Sequence, residues 1–237
     1  MYLPTCHSTN TYANNWLKEN EVEEGWIVYT FDQTNGRGQA GNTWESEPNK
    51  NLTFSIVYTP VFLAPKNQFY LNMIVSLAIV AFLEQLNLKA EIKWPNDIYV
   101  NGKKMAGILI ENHLRGDVFR NAVVGIGLNI NQANFKTAKA SSVFQELGIE
   151  YQLTDCISIL RTHLEQLYEH LKSNELLFIQ KEYLQKMYLR NKPSLFRSGD
   201  HTFIGSIKGV DPNGRLLIMT ELGEKTFGLK EIAFLNS

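Results

Sequence analysis

Apolar and polar positions along this chain fall into short alternating stretches and one long continuous one. Residues 65–86 are apolar nearly all the way round a helix that opens on Pro65, which predicts a helix buried against a sheet. Residues 26–31, 52–58 and 118–130 read as strands. Ser8 and Thr9 stand where a helix running to about residue 19 needs its N-cap. The stretch 142–189 is helical in pattern, with a capping pair at Ser142 and Gln145 and two amphipathic helices parted near Ser173 and Asn174. Beyond Pro193 the pattern shortens to β-like runs at 202–208, 215–220 and 225–229, separated by turns such as Asp211-Pro212-Asn213-Gly214, as in a small barrel.

One stretch, residues 93–111 (KWPNDIYVNGKKMAGILIE), carries more than its secondary structure. Asn101-Gly102 supplies the two positive-φ positions of a tight hairpin turn. Lys93, Asn96 and Asp97 are expected on the incoming arm and Lys103, Lys104 and Gly107 on the outgoing one. Pro95 has no amide to give a ladder, so the incoming strand is interrupted beside Asn96 and Asp97. Two lysines and an aspartate then converge on one small region, an arrangement suited to phosphates and a metal ion.

Bulk properties narrow the field. At 237 residues and 44% hydrophobic, the chain can bury one large core and a small appendage. A net charge of −1, from 23 basic and 24 acidic side chains, leaves no electrostatic footprint for nucleic acid. The longest apolar run, 73–83 and broken by Ser76, is too short to cross a bilayer, and no signal peptide is read at the start. Cys6 and Cys156 have neither metal spacing nor the number for a disulfide framework, which favours a reducing compartment, the cytoplasm.

Two glycine-rich stretches add candidate chemistry. Gly36-x-Gly38-x-x-Gly41 matches the dinucleotide fingerprint letter for letter, but the residues that follow contain Pro48 and polar turn formers and lead into a strand rather than a helix. The nicotinamide reading fails on that context. What remains is a loop able to turn backbone amides and Arg37 toward an anion, with Trp44 able to stack on a flat heterocycle. In Gly125-Ile126-Gly127-Leu128-Asn129-Ile130-Asn131, glycines inside a strand suggest a wall that a ligand approaches closely, and Asn129 offers donors and acceptors to a purine edge. A bulge with Asn as a turn residue reads the same letters equally well.

Ser8-Thr9-Asn10, the glycine loop ending at Trp44, KWPNDIYVNGKKMAGILIE and GIGLNIN occur in the order and spacing of bacterial biotin protein ligases, which this sequence resembles over essentially its whole length. The resemblance implies an α+β fold, a mixed sheet packed with helices of the class II aminoacyl-tRNA synthetase-like kind over 1–189, and an SH3-like β-barrel over 190–237. It implies formation of biotinyl-5′-AMP from biotin and ATP with magnesium, then transfer of biotin to a lysine of the biotin carboxyl carrier protein of acetyl-CoA carboxylase or a related carboxylase. Many bacterial members carry an N-terminal helix-turn-helix domain. This chain starts almost at the Ser-Thr-Asn element, so a single-function ligase is expected, with no DNA or membrane partner and a homodimer left open.

Carried over position by position, the resemblance places Ser8, Thr9, Asn10, Gln33, Gly36 and Arg37 around the biotin ureido ring, with Gly107 and Ile108 along its tail. Lys104, Arg37, Asp97 and Lys93 become the catalytic set, and Arg37, Gly38, Gln39, Trp44, Lys104, Gly125 and Asn129 the nucleotide set, with no dedicated metal ligands. Lys104 would stabilise charge as the biotin carboxylate attacks phosphorus. Asp97 would orient Lys104 or a magnesium-bound water. The sequence departs from the best-known members at Gln39 and Ala40, where they carry two basic residues, so fewer cations face the adenylate. Residues 134–142 do not align by residue with the segment that covers the adenylate. Lipoate ligases share the fold but carry an Arg-Arg…Gly-Gly-Gly loop that is absent here. A non-catalytic biotin-binding module would have no use for Lys104 and Asp97.

Overall fold

A computed structural model describes residues 1–235 of the protein. Helix α1 (Thr9–Trp16) starts where expected, with the Ser8 hydroxyl accepting a hydrogen bond from the Thr11 amide. It stops before residue 19 because the Asn20 amide and side chain both fold back onto the Trp16 carbonyl. Strands β1 (Trp26–Thr30), β4 (Asn51–Tyr58), β5 (Ala90–Lys93), β6 (Asp97–Val100), β7 (Lys103–Arg115) and β8 (Val118–Asn129) form a six-stranded sheet in the order β1-β4-β8-β7-β6-β5. These strands pair antiparallel, and parallel contacts come as isolated bridges, Tyr2 with Tyr29 and Ile92 with Met187 at the two edges and Lys104 of β7 with Ala140. Between β1 and β4 the glycine loop makes its own ribbon, β2 (Gly36–Arg37) with β3 (Thr43–Trp44), closed by a 3-10 turn over Gln39–Gly41.

Beneath the sheet, a 3-10 turn at Pro65–Asn67 leads into α2 (Phe69–Gln85), whose apolar side chains are buried on nearly every face. The whole stretch Pro65–Gln85 is long and apolar enough to cross a membrane, longer than the run 73–83 suggested, but 72% of its most apolar part is buried in this core. Helices α4 (Leu153–Lys172) and α5 (Leu176–Gln185) close the other side of α2. The expected capping pair opens a short helix of its own ahead of the two amphipathic ones. The short α3 (Val143–Leu147) is capped by Ser142 and is stopped by Gly148 at φ 72°, a left-handed position that glycine takes without strain.

The C-terminal runs make a second, antiparallel sheet of β9 (Pro193–Ser198), β10 (His201–Val210), β11 (Leu216–Thr220), β12 (Gly223–Phe227) and β13 (Ala233–Phe234), ordered β12-β11-β10-β9-β13. It is fastened to the first at the interrupted strand. The Trp94 indole N–H donates to the Gly214 carbonyl at 2.8 Å, and a side chain at Gly214 would run into Phe69 at 2.3 Å.

Candidate active site

Asn101 at φ 49° and Gly102 at φ 75° make the expected turn between β6 and β7. The arms differ from expectation on one point. Lys93 ends a separate strand, β5, which pairs back onto β6 with Lys93 opposite Asp97, and Trp94-Pro95-Asn96 is the turn between them. Pro95 is the reason, since a strand cannot run through it. Asn96 then ties this turn to β7, donating from its side chain to the Ile108 carbonyl at 2.6 Å and accepting from the Ile108 amide at 3.0 Å.

A bulge shifts the β6–β7 register between Ile98 and Tyr99, so Tyr99 faces Lys104 while Asp97 faces Gly107. Lys104 runs along the strand toward Gly107, and its ammonium lies 2.6 Å from Asp97 Oδ1 and 5.6 Å from the Trp44 ring centre. Its backbone is held from the other side. The Lys104 amide donates to the Lys139 carbonyl at 2.8 Å, and the Ser141 amide donates to the Lys104 carbonyl at 3.0 Å. Residues 139–141, which resist alignment by sequence, therefore flank β7 beyond the end of β8.

This ion pair borders a cleft of about 300 Å³. Ser8, Thr9, Asn10, Gln33, Arg37, Gly38, Gln39, Trp44, Asp97, Lys104, Gly107, Ile108 and Gly125 of the sequence-derived set all line it. Residues outside that set that also line it are Asn42 and Thr43 of the loop, Pro95 and Asn96, Leu109 of β7, Ile126 and Gly127 of β8, and Lys230 from the second sheet. Lys93, Gly36 and Asn129 stand outside the lining. Lys93 donates to the Tyr99 hydroxyl at 3.0 Å and lies over the Tyr99 and Phe234 rings. Burial pushes its ammonium below the ordinary lysine value, with Asp97 opposing that shift and Lys139 and Lys104 adding to it. Gly36 is small so that β2 can close on Trp44 and Gln33, since a side chain there would meet the Trp44 carbonyl at 2.5 Å.

At the α1 end, the Thr9 amide donates to Gln33 Oε1 at 2.9 Å, and the Ser55 hydroxyl bridges Thr9 Oγ1 and Asn10 Oδ1 at 2.8 and 2.7 Å. Ser8, which accepts from Thr11, keeps its own hydroxyl proton to donate. Asn10 is engaged at both ends of its amide, since its Nδ2 donates to the Leu109 carbonyl and to Glu111. It supports the wall from within the protein.

The strand glycines Gly125 and Gly127 of β8 line the cleft and at the same time leave room for neighbouring side chains. A Cβ at Gly125 would meet Asn10 Oδ1 at 2.1 Å, and one at Gly127 would meet the Trp44 indole at 2.3 Å. Trp44 thus lies flat on β7 and β8, and its indole N–H is buried without an acceptor. Asn129 donates to the Ser141 carbonyl at 2.9 Å, while its side-chain oxygen is buried and unbonded. Arg37 makes a two-pronged ion pair with Glu111 of β7, Nη2 to Oε1 at 2.8 Å and Nη1 to Oε2 at 3.3 Å. Sequence reasoning quoted Glu111 at the end of its motif and gave it no role.

Residues 2–129 match the biotin/lipoate A/B protein ligase family. The bifunctional ligase/repressor BirA of Bacillus subtilis is 30% identical over 233 residues, covering 95% of this chain and 70% of that protein. The biotin–[acetyl-CoA-carboxylase] ligase of Paracoccus denitrificans is 26% identical and covers 88% of this chain and 90% of its own. Among solved structures, the biotin protein ligase of Aquifex aeolicus in complex with biotin and ATP superposes with a TM-score of 0.82 at 26% identity, covering 98% of this chain and 97% of that one. With its six-stranded sheet, its lysine–aspartate hairpin and its glycine loop in place, the chain belongs to the biotin/lipoate A/B protein ligase family, and within it to the biotin protein ligases.

Proposed function

We propose that this cleft joins biotin to AMP and then hands biotin to a carrier lysine, with Lys104 as the central catalytic group. The observation that carries the reading is the Lys104 ammonium, 2.6 Å from Asp97, in one cleft with Ser8, Thr9, Gln33 and Arg37. The biotin ureido ring presents one acceptor and two donors, which are costly to bury unpaired. Ser8 has a proton to give, and Gln33 Nε2 is a second donor beside it. A carboxylate of bound biotin attacks the α-phosphorus of ATP, pyrophosphate leaves, and Lys104 stabilises the negative charge that builds between them. A carrier lysine amine then attacks the mixed-anhydride carbonyl, and AMP departs with the bonding electrons.

The remaining assignments follow the same support. Arg37, Gly38 and Gln39 border the phosphates, Trp44 and Asn129 the adenine side, and Gly107 and Ile108 the biotin tail. The Trp44 N–H and the Asn129 side-chain oxygen are both buried without a partner. Magnesium fits as a companion of the ATP phosphates. Among the described residues no cluster of three metal-binding side chains exists, and Asp97 offers a single carboxylate, which suits an ion that keeps most of its water and binds substrate phosphates. When bound it would neutralise phosphate charge. We place the border between the two domains near residue 190, the acceptor on a biotin carboxyl carrier protein, and the enzyme in the cytoplasm, where its free Cys6 and Cys156 remain thiols.

The test is pyrophosphate exchange into ATP with biotin, lipoate or octanoate supplied separately. Exchange with biotin alone is expected. Exchange driven by lipoate or octanoate, or by none of the three, overturns the assignment.

A further inference from the structure

We propose that Glu111 is a positioning residue: from behind the cleft wall it fixes Arg37 of the glycine loop and Asn10 of α1 in one carboxylate-centred cluster, so that loop and ring pocket are set together. The inference rests on the reading of the cleft given above. Arg37 and Asn10 line the cleft and Glu111 does not. Both of its oxygens are used. Oε1 takes Arg37 Nη2 at 2.8 Å, while Oε2 takes Arg37 Nη1 at 3.3 Å, Asn10 Nδ2 at 2.9 Å and Asn14 Nδ2 at 2.9 Å.

From Asn10 the chain of contacts continues through the Ser55 hydroxyl to Thr9, and from Thr9 to Gln33. One connected network therefore runs from the guanidinium proposed to face phosphate to the amide proposed to face the ureido ring. The elements it joins are far apart in sequence, Arg37 lying 74 positions and Asn10 101 positions from Glu111. An ion pair with this much solvent contact adds little to stability, with the Arg37 side chain 45% exposed. A fork-shaped pair that receives two further amide donors instead restricts orientation. Gly125 completes the arrangement, because a side chain there would displace Asn10.

The experiment uses the full chain and compares wild type, Glu111→Gln, Glu111→Asp, Arg37→Lys and the Glu111→Gln/Arg37→Lys double variant. Pyrophosphate exchange gives KM and kcat, thermal unfolding gives Tm, and trypsin cleavage after Arg37 reports whether the guanidinium is held without any substrate. Glu111→Gln is expected to raise the KM for biotin about tenfold with a smaller change in kcat, since a charged partner becomes a neutral one. Glu111→Asp should lie between it and wild type, and the double variant should be no worse than its worse parent. Cleavage after Arg37 should speed up several-fold in Glu111→Gln with only a small drop in Tm. Wild-type KM values, multiplicative effects in the double variant, or a lower Tm with unchanged KM overturn the proposal. A wild type that shows no biotin-dependent exchange defeats the reading of the cleft instead, and the trypsin rates then decide alone whether Glu111 holds Arg37.

Discussion

The hairpin side of the cleft and the glycine-loop side each present a cation held by a carboxylate, Lys104 by Asp97 at 2.6 Å and Arg37 by Glu111 at 2.8 Å. The first pair is local. Its partners sit on adjacent strands joined by a tight turn, and the register between those strands sets their distance. The second spans 74 positions and exists only because β7 is long enough to carry Glu111 past the cleft to a loop fixed at its other end by β1 and β4. A local pair is rebuilt whenever its hairpin folds, whereas a remote pair depends on the relative placement of several elements. On the reading proposed above, the chemistry that must not drift sits on the hairpin, and the loop borders the substrate.

Lys104→Ala tests the local side hardest. It removes the charge proposed to meet the transition state, and adenylate formation should fall by about 3 kcal/mol in barrier terms or more, with Tm unchanged. Lys103→Ala, on the exposed neighbouring position, should leave exchange close to wild type. Equal losses in the two variants would erase the distinction. On the loop side, Gly127→Ala drives a methyl into the Trp44 indole. Overpacking of this kind costs about 1–3 kcal/mol of stability, read by denaturant unfolding, and ATP affinity should fall with it as Trp44 is displaced.

The remote pair also has a pH signature. Burial alone would raise the Glu111 carboxyl, but hydrogen bonds from Asn10, Arg37 and Asn14 together with the Arg37 charge outweigh it and hold the group below its ordinary 4.5. A lowered folded-state value means stability that is present above the ordinary value and lost as pH falls through the folded one. The Tm gap between wild type and Glu111→Gln should therefore stay constant at neutral pH and close on acidification below 4.5. A gap that widens in acid contradicts the cluster. The smallest effect is expected at Gln39. An arginine there would add a charge-assisted bond about 1 kcal/mol stronger than a neutral one, so Gln39→Arg should release preformed adenylate more slowly and biotinylate bystander lysines less. Unchanged or faster release would show that Arg37 and Lys104 already suffice.

How much was legible in the sequence follows the same division. The Asn-Gly turn, the Ser8 cap, the interruption at Pro95 and the buried α2 are all decided by residues within a few positions of one another, and all of them appear. The site residues came mostly from motif order, and most of them share the cleft. What local pattern misplaced was Lys93, because the letters do not say that Pro95 separates two paired strands. The reading of Gly125 and Gly127 as a cleft wall was incomplete for a related reason: a glycine shows that something comes close without naming the side chain, Asn10 or Trp44, that also needs the room. The partnership of Arg37 with Glu111 and the flanking of Lys104 by residues 139–141 are tertiary facts with no short-range signature.

The hydrogen bond from Trp94 to Gly214 carries a consequence of its own. Trp94 opens the short turn that leads into Asp97 at the start of β6, so the acid beside Lys104 and the tip of the β10–β11 connection share a single mechanical joint. Thermodynamic linkage is reciprocal: if a protein settling on the small sheet alters that joint and so the occupancy of the cleft, an occupied cleft must alter the hold on that protein by the same factor. The mutual strengthening or weakening of small and large substrates would then pass through one indole and one carbonyl.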